Sequence, residues 1–390
     1  MSSGINRISV LQQNMRAAEI DAALINYHRD LFYYSGIAQP SNLLVPAKGE
    51  PVLFVRRAMD FVRGVTSVEE VVAAEGFKPV IKRLQELCPQ GGKLGLEEDV
   101  LPASLYNRIR STFSGFKTVD ISPLILRQRA VKDEGEIERI REAASLFTEA
   151  HSAILEFLAP GISEMELAAE VYRRVRRAGA DFTTFHRRWD NTSTHEGLVS
   201  GSLTSYKISG LAMTVTGIGT GPAMPWGASP EKLRKGDLLM LDIGINRGGY
   251  HADMARTYSV GKATALQKER FNIVNEIMEA VIASAIPGIA AEELFFTAER
   301  KATELKVAEY FQGYGEMKGR YIGHGVGLEM DDPPVVMEGV KEKLEAGMVV
   351  SIEPKIIIPQ WGAVDLEDTM VIREKVPEIL TPIPIKLFEC

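Results

Sequence analysis

The sequence predicts an α/β protein of two domains, the second an α+β domain made of two copies of one half. Three observations carry this: short apolar runs alternating with helical patterns across residues 1–128, an amphipathic helical pattern after residue 129, and residue patterns that recur at equal spacing beyond it. At 390 residues there is room for both domains, and the composition is that of an ordinary globular protein. The formal charge of -7 argues against a general nucleic-acid binder and against an anionic membrane surface. No apolar run is long enough to span a bilayer, and MSSGINRISV lacks the basic end and apolar core of a signal peptide. Cys88 and Cys390 are too few and too scattered for a disulfide framework or a thiolate metal site. A cytoplasmic protein is expected.

Within residues 1–128, a helical pattern around Leu11, Met15 and Ala18 precedes the strand-like Ala22-Ala23-Leu24-Ile25. Two further apolar runs, Leu43-Leu44-Val45 and Val52-Leu53-Phe54-Val55, flank a hairpin turn at Lys48-Gly49. Helices are expected over 77–87 and 102–113. His28 and Arg29 read as loop surface, and nothing in this region looks catalytic.

Residues 126–132 form the junction. One long helix is then expected, with Ile137, Ile140, Ala144, Phe147, Ile154 and Leu158 on a single stripe. His151 shares that stripe and reads as a hydrogen-bonded core histidine. Next comes the repeat. Pro160-Gly161-Ile162 precedes Glu166-Leu167 as Pro287-Gly288-Ile289 precedes Glu293-Leu294, and Ser163 with Glu166 has the spacing of a helix capping box. Glu231-Lys232-Leu233 leads through Gly236 to Asp242, as Glu342-Lys343-Leu344 leads through Gly347 to Glu353, again at equal spacing. Each half therefore reads as helix, turn, helix, then a strand pair bearing carboxylates.

Those strand pairs carry the chemistry. Leu238 to Tyr258 reads as two strands around a turn in Asn246-Arg247-Gly248-Gly249. A turn at Arg247-Gly248 sets Asp242 opposite Asp253; a turn at Gly248-Gly249 makes them diagonal neighbours, still on one face. Two carboxylates about 4 Å apart repel by roughly 4 kcal/mol at an effective dielectric near 20, and a divalent cation is the simplest offset. The second pair, Val349–Ile358 and Ala363–Ile372, turns at Pro359-Gln360-Trp361 and sets Glu353 opposite Glu367. In Gly323-His324-Gly325-Val326-Gly327 the glycines permit close backbone approach and leave an imidazole for a site. Four carboxylates and one imidazole form a hard N/O set suited to Mn, Fe, Co or Zn, and four negative charges balance two divalent ions.

The elements LDIG…HADMART, GHGVG, SIEP and LEDT, in that order, resemble the metal site of the creatinase/prolidase/methionine aminopeptidase superfamily, the pita-bread fold. The resemblance covers nearly the whole chain. It implies a creatinase-type amino-terminal domain over 1–128 and a catalytic domain over 129–390. It also implies a two-metal centre of Asp242, Asp253, His324, Glu353 and Glu367, with Asp253 and Glu367 bridging, and a homodimer. The implied activity is Xaa-Pro dipeptidase- or aminopeptidase-like hydrolysis of a C–N bond by a water held between the metals. The alternatives are a small-molecule enzyme on the same fold, of creatinase, ectoine-hydrolase or dimethylsulfoniopropionate-lyase type, and a non-catalytic binding protein.

The departures from that pattern concern the substrate. Peptidase relatives carry a Pro-His pair before the first ligand strand, where this chain has Pro225-Trp226. They carry a histidine seven residues after the metal-binding one, where it has Asp331, and usually an arginine two before the last ligand, where it has Asp365. His195 and His251 are the candidates to substitute. Two expectations follow: weak cleavage of ordinary Xaa-Pro dipeptides, and a pocket in which Asp331, as anchor or general base, with Asp365 and the indole of Trp226 favours a cationic substrate; the competing reading makes Asp331 a loop-capping or ligand-supporting acid and Trp226 pocket-wall packing.

Overall fold

The computed structural model describes residues 2–181, 183–188, 197–208 and 217–390, with backbone alone for 2–5. They divide into two compact units, Met1–Arg129 and Ala130–Cys390. The first unit holds six strands, β1 (Ala22–Ile25), β2 (Ser41–Pro46), β3 (Val52–Val55), β4 (Glu70–Ala73), β5 (Gly92–Leu96) and β6 (Phe116–Asp120). They form one sheet in the order β4-β3-β2-β1-β5-β6, in which β2 and β3 are the antiparallel hairpin expected around Lys48-Gly49. The helices Lys78–Leu87 and Ala103–Thr112 set Val80, Leu84 and Ile109 against Leu24, Leu44 and Leu94. His28 and Arg29 are not loop surface. They open the helix His28–Ser35, Arg29 is buried, and burial holds the His28 imidazole down at about 4.

The second unit contains β7 (Leu198–Gly201), β8 (Leu238–Arg247), β9 (Tyr250–Ser259), β10 (Tyr321–Gly325), β11 (Asp332–Met337), β12 (Val349–Ile352), β13 (Lys355–Ile358), β14 (Gly362–Asp365), β15 (Asp368–Val371), β16 (Glu378–Ile379) and β17 (Phe388–Glu389). A sheet β17-β9-β8-β7 serves the first half and β11-β10-β12-β15-β16 the second, with β13 and β14 paired apart. The helices Ala265–Ser284 and Ala291–Glu304 bury Ile277, Val281, Leu294 and Ala298 against Ile322, Val350 and Met370. The single long helix expected from residue 134 is two, Glu134–Ser145 and Phe147–Phe157. At Leu146 the backbone N–H turns back to the Ala143 carbonyl, 3.1 Å away, a tighter closure that ends the first helix. His151 does satisfy itself there, 2.9 Å from the Tyr258 hydroxyl, and burial lowers its pKa.

The duplication is visible in individual hydrogen bonds. In the first half Gly161 N donates to Leu233 O and Leu233 N to Ile162 O; in the second, Gly288 N donates to Leu344 O and Leu344 N to Ile289 O. The two repeated motifs of each half are thus partners of one another. What they hold is the entry to the next helix. Glu164 N and Met165 N, two donors a helix start leaves without partners, go to Glu231 O and Ser229 O; Ala291 N and Glu292 N go to Glu342 O and Val340 O. The first copy adds the expected capping box of Ser163 and Glu166, whereas the second has Ala290 at that place and relies on the backbone pairing alone.

Glu164 couples this helix entry to the ligand sheet. Its buried carboxylate accepts from Gly201 N at 2.7 Å, Ser229 N at 3.0 Å, Ser229 Oγ at 2.6 Å and the Thr204 hydroxyl. Gly201 ends β7, which pairs with β8. Glu164→Ala leaves Gly201 N, Ser229 N and Ser229 Oγ without this acceptor, while the Thr204 hydroxyl keeps Gly201 O at 3.1 Å, and we expect it to cost about 2–4 kcal/mol in chemical denaturation. A loss below 0.5 kcal/mol would show that water replaces the carboxylate freely.

Candidate metal centre

The β8–β9 hairpin turns at Gly248-Gly249, with Arg247 paired to Tyr250. Both glycines have positive φ, 59° and 84°, as a two-residue turn matching the strand twist demands. Asp242 therefore faces Ala255 and Asp253 faces Gly244, so the acids are diagonal neighbours on one face. Opposite Asp253, a Cβ on Gly244 would lie 2.1 Å from the Met330 methyl, so the methionine side chain packs directly over this glycine. Thr369 Oγ1 accepts from Asp253 N at 2.9 Å and donates to Asp253 O at 2.8 Å, tying β9 to β15.

The second strand pair is interrupted where its acids sit. Ile352 pairs with Asp368 and Lys355 with Asp365, so the shared register sets Glu353 against Glu367 across the gap. Pro354 has no N–H, and the two acids send their backbone donors elsewhere, Glu353 N to Ile322 O at 2.8 Å and Glu367 N to Ala255 O at 3.0 Å. The expected continuous strands thus become β12 with β13 and β14 with β15. Buried Arg256 closes the seam, donating to Glu367 O at 2.7 Å and to Asp368 Oδ1 at 2.6 Å.

His324 brings the acids to one point. Its Nε2 lies 3.7 Å from Asp253 Oδ2, 3.8 Å from Glu353 Oε1 and 3.9 Å from Glu367 Oε1. Asp253, His324 and Glu367 each offer one donor atom within 4.8 Å of the others. The flanking glycines are obligatory, since a Cβ on Gly323 would lie 2.1 Å from Ser351 O and one on Gly325 2.4 Å from Asp332 O. Asp242 stands beside this group and its charge is felt by both Asp253 and Glu367. Burial, then mutual repulsion, pushes Asp253 and Glu367 well above the usual carboxylate range. Burial also takes Asp242 up to about 8, against the pull of Lys355. Acids so destabilised as anions, converging on one imidazole, are the donor set a divalent ion fits.

Lys355 is the group that sequence reasoning missed. Its buried ammonium lies 2.6 Å from Glu353 Oε2 and 3.0 Å from Asp365 Oδ2. Burial raises Glu353, but Lys355 and His324 outweigh it and hold the carboxyl below its usual value. Asp365 is fully buried and its charge is answered by Lys355, contrary to the expectation that it adds negative charge to a substrate pocket. The register that pairs Lys355 with Asp365 is what turns it inward.

Asp331 meets a histidine that the sequence did not single out. His186 Nδ1 lies 3.7 Å from Asp331 Oδ1, which also accepts from Arg187 N at 3.3 Å. Burial opposes ionisation of Asp331, yet these partners keep its pKa below the ordinary value. Residues 185–187 are tied down by Met330 N donating to Phe185 O at 2.8 Å and Phe185 N donating to His251 Nε2 at 3.0 Å. His251 spends its other nitrogen on Gly327 O, 3.0 Å away, so it supports the loop and does not replace a missing histidine. His195 lies outside the described residues. Trp226 is half-buried, and its buried indole Nε1 has no hydrogen-bond partner among the described residues.

Two duplicated carboxylate hairpins closing on one imidazole define a metal-dependent hydrolase of the pita-bread class. Residues 138–374 match metallopeptidase family M24, and residues 7–131 match the creatinase/prolidase N-terminal domain. The chain belongs to metallopeptidase family M24, with a creatinase-type domain in front of the catalytic one. It is 30% identical over 379 residues to an Xaa-Pro dipeptidase of Pyrococcus horikoshii, covering 96% of each chain. An Xaa-Pro dipeptidase structure from Bacillus anthracis superposes with a TM-score of 0.85 at 27% identity, covering 99% of each chain. An X-Pro aminopeptidase from Thermotoga maritima gives 0.81 at 26% identity over 96% of this chain and 99% of the other. The chain is thus an Xaa-Pro-peptidase-like, metal-dependent hydrolase, and among the described residues no helix is long and apolar enough to cross a membrane.

Proposed function

We propose that Asp242, Asp253, His324, Glu353 and Glu367 hold two divalent ions, with Asp253 and Glu367 shared between them, and that the substrate is a short peptide of the Xaa-Pro type. The observation that carries this reading is the convergence of Asp253, Glu353 and Glu367 on His324 Nε2 within 3.9 Å. When bound, Mn, Co, Zn or Fe would polarise the scissile carbonyl and lower the pKa of the attacking water. The protein supplies the rest. Asp331 orients the His186 imidazole, a proton carrier 3.7 Å from the residue that stands where peptidase relatives place a histidine. On this reading that pairing keeps Xaa-Pro cleavage chemically accessible despite Trp226 and Asp331, and the expectation of weak cleavage stands as its competitor. A small cationic substrate is the second reading; Trp226 and Asp331 favour it, but Asp365 no longer does. A cytoplasmic homodimer completes the proposal, supported by the two unpaired cysteines and by the prevalence of two-fold assemblies.

Two measurements test it. Asp253→Ala is expected to abolish binding of both ions in elemental analysis of the purified protein, since it removes a shared ligand. A variant that keeps both ions tightly would refute the ligand set. His186→Ala is expected to lower kcat/KM on an Xaa-Pro dipeptide on the order of a hundredfold with metal content unchanged. Wild-type rates in that variant would remove His186 from the reaction, and a wild type that turns over matched cationic small molecules but no dipeptide would favour the second reading.

A further inference from the structure

Within the centre, Glu353 is the acid that, among the described residues, a lysine ammonium contacts directly. Asp253 gives one oxygen to a backbone donor, Met254 N at 3.0 Å, and Glu367 accepts from the Ser351 hydroxyl at 2.6 Å. Glu353 gives Oε2 to the Lys355 ammonium at 2.6 Å, while Oε1 faces His324 Nε2. Lys355 in turn is clamped by Asp365, its direct cross-strand partner, and both side chains are fully buried. The Glu353 backbone is fixed as well, because Gln312 Nε2 donates to Glu353 O at 3.1 Å and to Tyr321 O at 2.8 Å.

A buried ammonium–carboxylate pair is a poor source of stability. Desolvation of each ion costs several kcal/mol, and apolar residues of similar size often do as well or better. The pair needs another reason to sit in this core, and its geometry offers one. Lys355 reaches past its own counter-ion to Glu353 and occupies the oxygen that points away from the imidazole.

We propose that Lys355, clamped by Asp365, is a positioning residue of the metal centre: it pins Glu353 Oε2 and so presents Oε1 alone to the ion. This rests on the assignment of Glu353 as a ligand. Held in this way, Glu353 would offer a bound ion a single oxygen.

The test is Lys355→Met together with Asp365→Leu. This double substitution removes equal and opposite charges, so the net charge of the site is unchanged and the readout is the orientation of Glu353. Lys355→Met alone strands a buried carboxylate and can fail to fold, which the double variant avoids. Metal affinity is read by competition against a chelator, coordination by the visible spectrum of the Co(II)-loaded protein, and folding by the melting curve without metal. A 10–100-fold loss of affinity with a changed Co(II) spectrum and an unchanged melting temperature is expected, the range typical when a group orienting a metal ligand is removed. Wild-type affinity with a wild-type spectrum would overturn the proposal and make the pair mere core packing. Asp253→Ala separates the two levels of failure. If it loses its ions while the double variant does not, only the role of Lys355 falls; if it keeps them, the centre itself has been misassigned.

Discussion

The crowding of carboxylates at one buried point is the constraint on which the rest of the structure depends. Asp242, Asp253, Glu353 and Glu367 approach one another in a setting where each close pair costs several kcal/mol unless a cation intervenes. The chain meets part of this demand itself, with Lys355 beside Glu353 and His324 among the others. The rest of the scaffold serves to hold the acids in place against their repulsion. Hence the buried Arg256 across the seam, the Thr369 hydroxyl that both gives to and takes from the Asp253 backbone, and glycines at 323 and 325 where any side chain would collide with backbone.

Much of this was legible in the sequence because it follows from periodicity. Alternation with period two put Asp242 and Asp253 on one face whichever turn closed the hairpin, so the site was predictable even while the register was not. The Gly248-Gly249 turn is preferred over Arg247-Gly248 because both turn residues need positive φ. The duplication was equally legible, since its hydrogen bonds use the very motifs that repeat. The interruption at Glu353 could have been read from Pro354, which cannot donate to a ladder.

What was not legible depends on side chains meeting across elements. A lysine in a strand ordinarily reads as solvent-facing, and only the full register shows Lys355 directed inward at Asp365 and Glu353. His186 belongs to a segment with no periodicity, so nothing in the local sequence brings it to Asp331. Each lies beside a position that departs from the family pattern, His186 next to Asp331 and Lys355 next to Asp365.

The seam between the two halves has a consequence for how the protein comes to be active. Asp253 and the Thr369 that holds it are separated by more than a hundred residues of intervening helices and strands. No early, local collapse can unite them, because loop closure over that span must precede any gain from the contact. The chain must therefore bring both halves into register before Asp242, Asp253, Glu353 and Glu367 can meet. Until then the acids lie on separate hairpins, and their crowding is a cost that arises only once the domain is assembled.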